Sequence, residues 1–237
     1  MMNSVDNLTP GHVARDAFRP NLPAEGVLIM DACPVTALGM KRVLTASCGI
    51  TKSVNYVQRL AGIQAAIARS LPALLIMDIC GEKESVLDGL RLLAHLQDSH
   101  PQMKIIICTD FSDHRVLELL ASSPANGVLL KHEPELALVQ CVFDVMAGGR
   151  QWLSPKAKRL VTTPAMKNPA LTARELEVLT CLFSGMSVSS VAQTLHRDIR
   201  TVSTHKRNAM MKLGFHNDSE LFAQGSWMAK IGPAASH

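Results

Sequence analysis

Four polar side chains stand directly behind four short apolar runs, and together they could do phosphoryl chemistry. Asp31 follows VLIM, Asp78 follows LLIM, Thr109 closes KIIIC and Lys131 follows GVLL. A carboxylate that accepts a phosphoryl group needs acidic neighbours for Mg²⁺, and a Lys and a hydroxyl for the phosphoryl oxygens. Such residues also end strands in many doubly wound folds. A second set lies near the C-terminus, in IRTVSTHKRNAMMKL. At 100° per residue, Arg200, Ser203, Thr204, Arg207 and Met211 fall on one side, and Val202, Ala209, Met210 and Leu213 on the other. Arg207 and Ser203 suit base edges, since Arg pairs bidentately with guanine and Ser is permissive. Arg200, Lys206 and Lys212 suit phosphates, and Thr201 and Thr204 complete the polar set.

The elements that must carry these residues are legible. Runs at 27–31, 73–78, 104–109 and 127–131 are too short for helices, and 50–57 is a weaker strand. Amphipathic stretches at 35–46, 59–70, 89–97, 113–121 and 134–146 lie between them. Strand and helix alternating in this way predict a doubly wound parallel sheet covered on both faces, the flavodoxin-like α/β class. Its functional groups belong at the carboxyl ends of the strands, where Asp31, Asp78, Thr109 and Lys131 stand. The C-terminal segment 171–221 predicts four short helices. Thr172 and Glu175 have capping-box spacing, flanked by Leu171 and Leu176 as a hydrophobic staple. Gly185 ends the first helix, Ser187 caps the second, Asp198 caps the third and Gly214 stops it. Two helices, a tight turn and a third helix with a polar outer face make a helix-turn-helix, whose second helix enters the DNA major groove.

Charge agrees with that division. Residues 1–150 hold 13 Lys and Arg against 15 Asp and Glu, a net −2; residues 151–237 hold 11 against 5, a net +6. The basic excess lies with the helix-turn-helix, as a polyanion partner requires. The 237 residues, 47% hydrophobic, suit two packed domains. Six cysteines (Cys33, Cys48, Cys80, Cys108, Cys141, Cys181) show no CxxC pairing and read as buried free thiols of a reducing compartment. No apolar stretch spans a bilayer and no signal-peptide order opens the chain, so a cytoplasmic location without membrane partners is expected. The expected organisation is a mobile tail over 1–25, an α/β domain over 26–147, a basic, Pro-rich linker over 148–170, the DNA-binding domain over 171–230 and a frayed end over 231–237. A short helix within 154–161 opens that linker, whose Lys156, Lys158, Arg159 and Lys167 supply its charge. No G-x-G-x-x-G or G-K-[ST] loop occurs, and with 4% aromatic content the chain does not read as an enzyme.

The stretches LTARELEVL, SGMS and TVSTHKRNAMMKLG resemble the LuxR-type DNA-binding domain of NarL/FixJ response regulators, and NAMMKLG followed by ND is similar to the RcsB/BglJ-like branch. The resemblance implies a receiver domain with Asp78 as the possible phosphoacceptor, Thr109 as the switch hydroxyl and Lys131 as the receiver lysine. It further implies that Leu221, Phe222 and Trp227, in a last helix, serve dimerisation, or else only close the small core. The departures matter. Two adjacent acidic residues are usual after the first strand of the family, but here the order is Asp31-Ala32-Cys33-Pro34. One Mg²⁺ carboxylate is missing, which leaves at best weak Mg²⁺ at Asp31 and Asp78 and otherwise no cofactor. Glu82, Lys83 and Glu84 add charge near the pocket or are simply solvated. The expectation is a phosphorylation-independent pseudo-receiver regulator, binding double-stranded DNA as a homodimer or with an RcsB-like regulator and acting on RNA polymerase. Two alternatives stand beside it: ordinary phosphorylation of Asp78, and a small-molecule ligand in the α/β pocket.

Overall fold

The computed structural model describes residues 26–50, 53–81, 83–149, 151–161 and 170–229. The readings made for the two tails, for Glu82 and for Lys167 lie outside the described residues. Five apolar runs form parallel strands: β1 (Val27–Met30), β2 (Val54–Val57), β3 (Leu74–Met77), β4 (Lys104–Thr109) and β5 (Gly127–Leu130). The sheet order is β2-β1-β3-β4-β5-β6, the last being a two-residue strand, Trp152–Leu153. Strands β1, β3 and β5 are buried throughout, because helices cover both faces. On one side α1 (Pro34–Ala46) and α5 (Glu135–Met146) pack Ala37, Leu44, Leu138 and Cys141 against Ile29, Ile76 and Ile106. On the other, α2 (Leu60–Arg69), α3 (Val86–Ser99) and α4 (His114–Ala121) pack Ile63, Leu93 and Leu117 against Leu28, Met77 and Ile105.

Several boundaries differ from the sequence expectation for local reasons. The weak strand shortens to Val54–Val57 because the Ile50 N–H turns back to the Leu44 carbonyl at 3.1 Å and so belongs to the end of α1. Helix α3 starts before Gly89, because Ser85 and Asp88 form a capping box. The stretch read as the start of the linker instead extends the α/β domain. Trp152 pairs with Gly127 in the sheet, and α6 (Pro155–Leu160) follows with Ser154 as its cap. The cysteines are also less uniform than expected. Cys33, at the cap position of α1, is exposed and Cys181 is half-buried, while the other four are buried.

The C-terminal part holds α7 (Ala173–Phe183), α8 (Val188–Thr194), α9 (Ile199–Lys212) and α10 (Asp218–Gln224), closed by a 3-10 turn at Ser226–Ala229. The capping box at Thr172 and Glu175 is formed in both directions. Gly185 and Gly214 take positive φ (90° and 73°), the left-handed stop that a Cβ would oppose. Val178, Leu182, Val191, Ala192 and Val202 make a small core between α7, α8 and α9. This part is docked on the sheet domain. Helix α3 packs on α7 and on the closing turn, and Arg115 Nη1 of α4 donates to Gln224 Oε1 of α10 at 3.0 Å. The docking leaves the outer face of α9 exposed at Arg200, Thr204, Arg207 and Met211.

Candidate functional site

The outer face of α9 begins with its cap. Asp198 Oδ1 accepts from the Arg200 N–H at 2.7 Å, after a turn in which His196 takes φ 50° and the Arg197 N–H reaches the Ala192 carbonyl at 2.9 Å. The helix therefore leaves the turn in one fixed direction. Val202, Ala209 and Met210 are buried, whereas Arg200, Thr201, Thr204 and Arg207 are exposed and Ser203 is half-exposed. The Ser203 hydroxyl donates to the Ile199 carbonyl at 2.8 Å and the Thr204 hydroxyl to the Arg200 carbonyl at 2.9 Å. Two cations sit differently from the free groups the sequence suggests. Lys206 Nζ holds both carboxylate oxygens of Asp218, at 2.9 and 2.8 Å. Lys212 Nζ lies 2.7 Å from Glu175 Oε2 and 3.0 Å from the Ala170 carbonyl. Lys212 thus ties the end of α9 to the start of α7 and is directed into the fold. The Glu175 carboxyl is buried, which alone would raise its pKa, but its hydrogen bonds to Lys212 and Thr172 hold it below the usual value.

The proposed dimer residues divide three ways. Leu221 is fully buried in the core, since it lies on the inward side of α10. Trp227 is half-buried beside Leu119 and Leu213, in the seam between the two parts of the chain. Phe222 alone is outward, 44% exposed, and packs edge-to-face with Phe183, the ring centroids 5.6 Å apart.

The other set assembles at the carboxyl ends of adjacent strands. The Asp78 N–H bonds to the Met30 carbonyl at 2.9 Å and the Lys131 N–H to the Thr109 carbonyl at 3.0 Å, so the four residues stand in a row at one end of the sheet. Lys131 Nζ stands 2.8 Å from Asp31 Oδ2 and 2.7 Å from Asp78 Oδ2. The remaining oxygens are also engaged: Asp31 Oδ1 accepts from the Cys33 N–H at 2.8 Å, and Asp78 Oδ1 from the Ile79 N–H at 2.7 Å. Thr109 is fully buried, its hydroxyl 3.3 Å from the Phe111 N–H. Burial alone would lower the Lys131 pKa, but the Asp78 charge and the bonds to both carboxylates raise it well above its ordinary value. Burial pushes the Asp78 carboxyl up and outweighs the pull of Lys131, and the neighbouring Asp31 charge adds a smaller push in the same direction. Ala32 brings no side-chain oxygen to this set, so Asp31 and Asp78 alone supply carboxylates where Mg²⁺ would require near-octahedral oxygen ligation.

Comparison with known proteins follows the same division. A model of the response regulator receiver domain matches residues 27–143, and a model of the LuxR family of bacterial regulatory proteins matches residues 169–223. The chain belongs to the NarL/FixJ family of response regulators. Its relatives place it in the RcsB-like branch. Transcriptional regulatory protein RcsB of Escherichia coli strain K12 is 26% identical over 204 residues, covering 82% of this chain and 91% of the relative. Transcriptional activator protein BglJ of the same strain is 25% identical over 196 residues, covering 82% and 86%. Among solved structures, RcsB from Salmonella enterica serovar Typhimurium bound to promoter rprA superposes with a TM-score of 0.58 at 22% identity, over 87% of this chain and 99% of that one. The family member carries the two domains of a DNA-binding response-regulator transcription factor. No helix among the described residues is long and apolar enough to cross a membrane.

Two residues that support the pocket escape a reading of motifs. Glu84 is not simply solvated: its carboxylate accepts from the Leu60 and Ala61 N–H groups at 2.7 and 3.2 Å, capping α2 from the loop after β3. Gly89 lets α3 approach that loop, since a Cβ there would run into the Ile79 carbonyl oxygen. A lone Gly inside an apolar helical pattern was the available signal for such an approach.

Proposed function

We propose that this chain is a sequence-specific DNA-binding regulator whose receiver-like domain works without phosphorylation, as a homodimer or as a heterodimer with an RcsB-like regulator. The carrying observation is the Lys131 ammonium seated between Asp31 and Asp78, beside Ala32. It ties both carboxylates to a cation of the chain itself, and Ala32 adds no further metal-binding oxygen, which supports a receiver-like domain whose Thr109 and loop after β4 do not answer to a phosphoryl group. Asp78→Ala should then keep regulation of a reporter in cells, and acetyl phosphate should leave no stable label on the wild type. A label that is lost in Asp78→Ala together with regulation would establish ordinary phosphorylation instead.

On the DNA side, Arg207 reads bases with Ser203 and Thr204, while Arg200 and Thr201 hold the backbone. Arg207→Ala should weaken a specific site by about 1–3 kcal/mol and relax preference at one base pair. An unchanged specific affinity, measured by titration against a duplex selected by the wild type, would show that this face does not read sequence.

One helix-turn-helix covers one half-site, so a second protomer is needed for tight binding. Support for receiver pairing comes from the outer faces of α1 and α5, where Val35, Leu38 and Leu136 are 76%, 53% and 60% exposed. Lys41 and Arg42 flank the first, Glu135 and Asp144 the second, so two copies complement each other by charge. Gly39 lies on that face with nothing near its Cβ position, which leaves room for a partner helix. Leu38→Asp is expected to shift the protein towards monomer in sedimentation velocity and to shorten its footprint. If the wild type alone is monomeric and binds DNA only with an RcsB-like regulator, the heterodimer is the working form; a symmetric footprint by the chain alone assigns the homodimer.

A further inference from the structure

We infer that Ile199 is a specificity-determining residue that reads the 5-methyl group of thymine, resting on the DNA-binding reading of α9 above. Ile199 is the first residue of α9 and is 46% exposed. It belongs to none of the apolar clusters, although Val191 and Val202 nearby are buried in one. Its Cβ, like every helical Cβ, tilts towards the helix N-terminus, the end from which a recognition helix contacts base edges. The polar residues around it are partly occupied. The Ser203 and Thr204 hydroxyl protons are bonded to the Ile199 and Arg200 carbonyls, and the Lys206 ammonium is held by Asp218. At this end of the helix the outward chemistry is therefore an apolar, β-branched side chain beside two arginines, Arg197 and Arg200. Thymine alone among the four bases presents an apolar group in the major groove, and apolar side chains read it by contact. A β-branched side chain is suited to this work because its χ1 is stiff, so the contact point is defined before binding.

The bond at Asp198 keeps that side chain in place. Its carboxylate caps the helix through the Arg200 N–H, and the turn before it is closed by the bonds of His196 and Arg197 to Gln193 and Ala192. Ile199 is thus held at the leading end of a rigid element, in an open concavity of about 710 Å³ lined also by Ser189, Gln193 and Arg197.

The test uses the full chain and duplexes that the wild type selects from a random pool. Each thymine of the selected site is replaced in turn by deoxyuridine, which removes the methyl and nothing else. Affinity is measured for the wild type, Ile199→Val and Ile199→Ala. The expected result is one position per half-site where deoxyuridine weakens the wild type by roughly three- to five-fold, the effect of one methyl contact. Ile199→Val should keep that sensitivity. Ile199→Ala should lose it, binding both duplexes alike, with circular dichroism and binding to random DNA unchanged. If no thymine position is sensitive, or if Ile199→Ala stays sensitive at the same position, the inference is overturned while DNA reading by α9 stands. If the wild type selects no sequence at all, both fail.

Discussion

Lys131→Met should destabilise the protein by about 3–5 kcal/mol, more than any other single change in the receiver-like pocket. The lysine is 13% exposed and stands 2.8 and 2.7 Å from Asp31 and Asp78, whose side chains are 1% and 11% exposed. Methionine fills the volume but leaves two carboxylates in a buried site with no counter-charge. The pH dependence follows from the directions of the shifts. In the wild type the raised Lys131 pKa gives a contribution fully present below the ordinary lysine value of 10.5, lost only as pH rises through the still higher folded value. In the variant the Asp78 pKa, already raised by burial, rises further when the ammonium is removed. A carboxyl with a raised folded pKa binds more protons folded than unfolded, so the variant loses stability as pH rises through the carboxylate range. Urea midpoints at pH 5 and pH 8 should therefore show the gap between the proteins widening at the higher pH. A loss under about 1 kcal/mol at pH 8 would mean that water, not Lys131, balances the carboxylates. Adding Asp78→Asn to Lys131→Met should restore part of the stability, which separates charge from packing.

Much of this arrangement is legible in the order of the residues. Strands β1, β3, β4 and β5 are runs of large apolar residues with polar groups just behind them, and a parallel sheet buried on both faces requires that pattern. The helix starts at Ala173, Val188 and Ile199 follow Thr172, Ser187 and Asp198, whose cap bonds are local and so readable from spacing. What escaped reading depends on residues distant in the chain. Glu84 caps α2 from 24 residues away, and Lys212 finds Glu175 across 37. The strand Trp152–Leu153 exists because β5 offers an edge there, which its own two residues do not announce. Family likeness offers Leu221 either to a dimer face or to the small core, and only packing, which puts it on the inward side of α10, decides between them. Local chemistry is written in spacing; a charged residue's partner is written in the fold.

Lys212 illustrates that last point, and Lys212→Ala has the second large expected effect. Read as a basic residue on a recognition helix, it would hold a phosphate, and its loss would lower the salt slope of DNA binding by about one unit. Read from its bonds, it is a latch. Its ammonium, 16% exposed, meets a Glu175 carboxylate that is 4% exposed and that also accepts the Thr172 N–H of the capping box at 2.7 Å. Removing it leaves that carboxylate buried against one neutral donor, and the start of α7 loosens where it packs on both α9 and α3. The expected cost is about 3–4 kcal/mol of stability, near the level for breaking a buried ion pair, with the salt slope unchanged. Glu175 adds a pH signature. Its folded pKa lies below the ordinary value of 4.5, so its contribution is present above that value and fades as pH falls through the folded pKa. Wild type and Lys212→Ala should therefore converge in stability on acidification, and Glu175→Gln in the variant should recover part of the loss at pH 7. Should Lys212→Ala instead fold with full stability and bind all DNA sequences with a reduced salt slope, the ammonium leaves Glu175 for the phosphate backbone when DNA is bound, and the latch is not what holds α7 to α9.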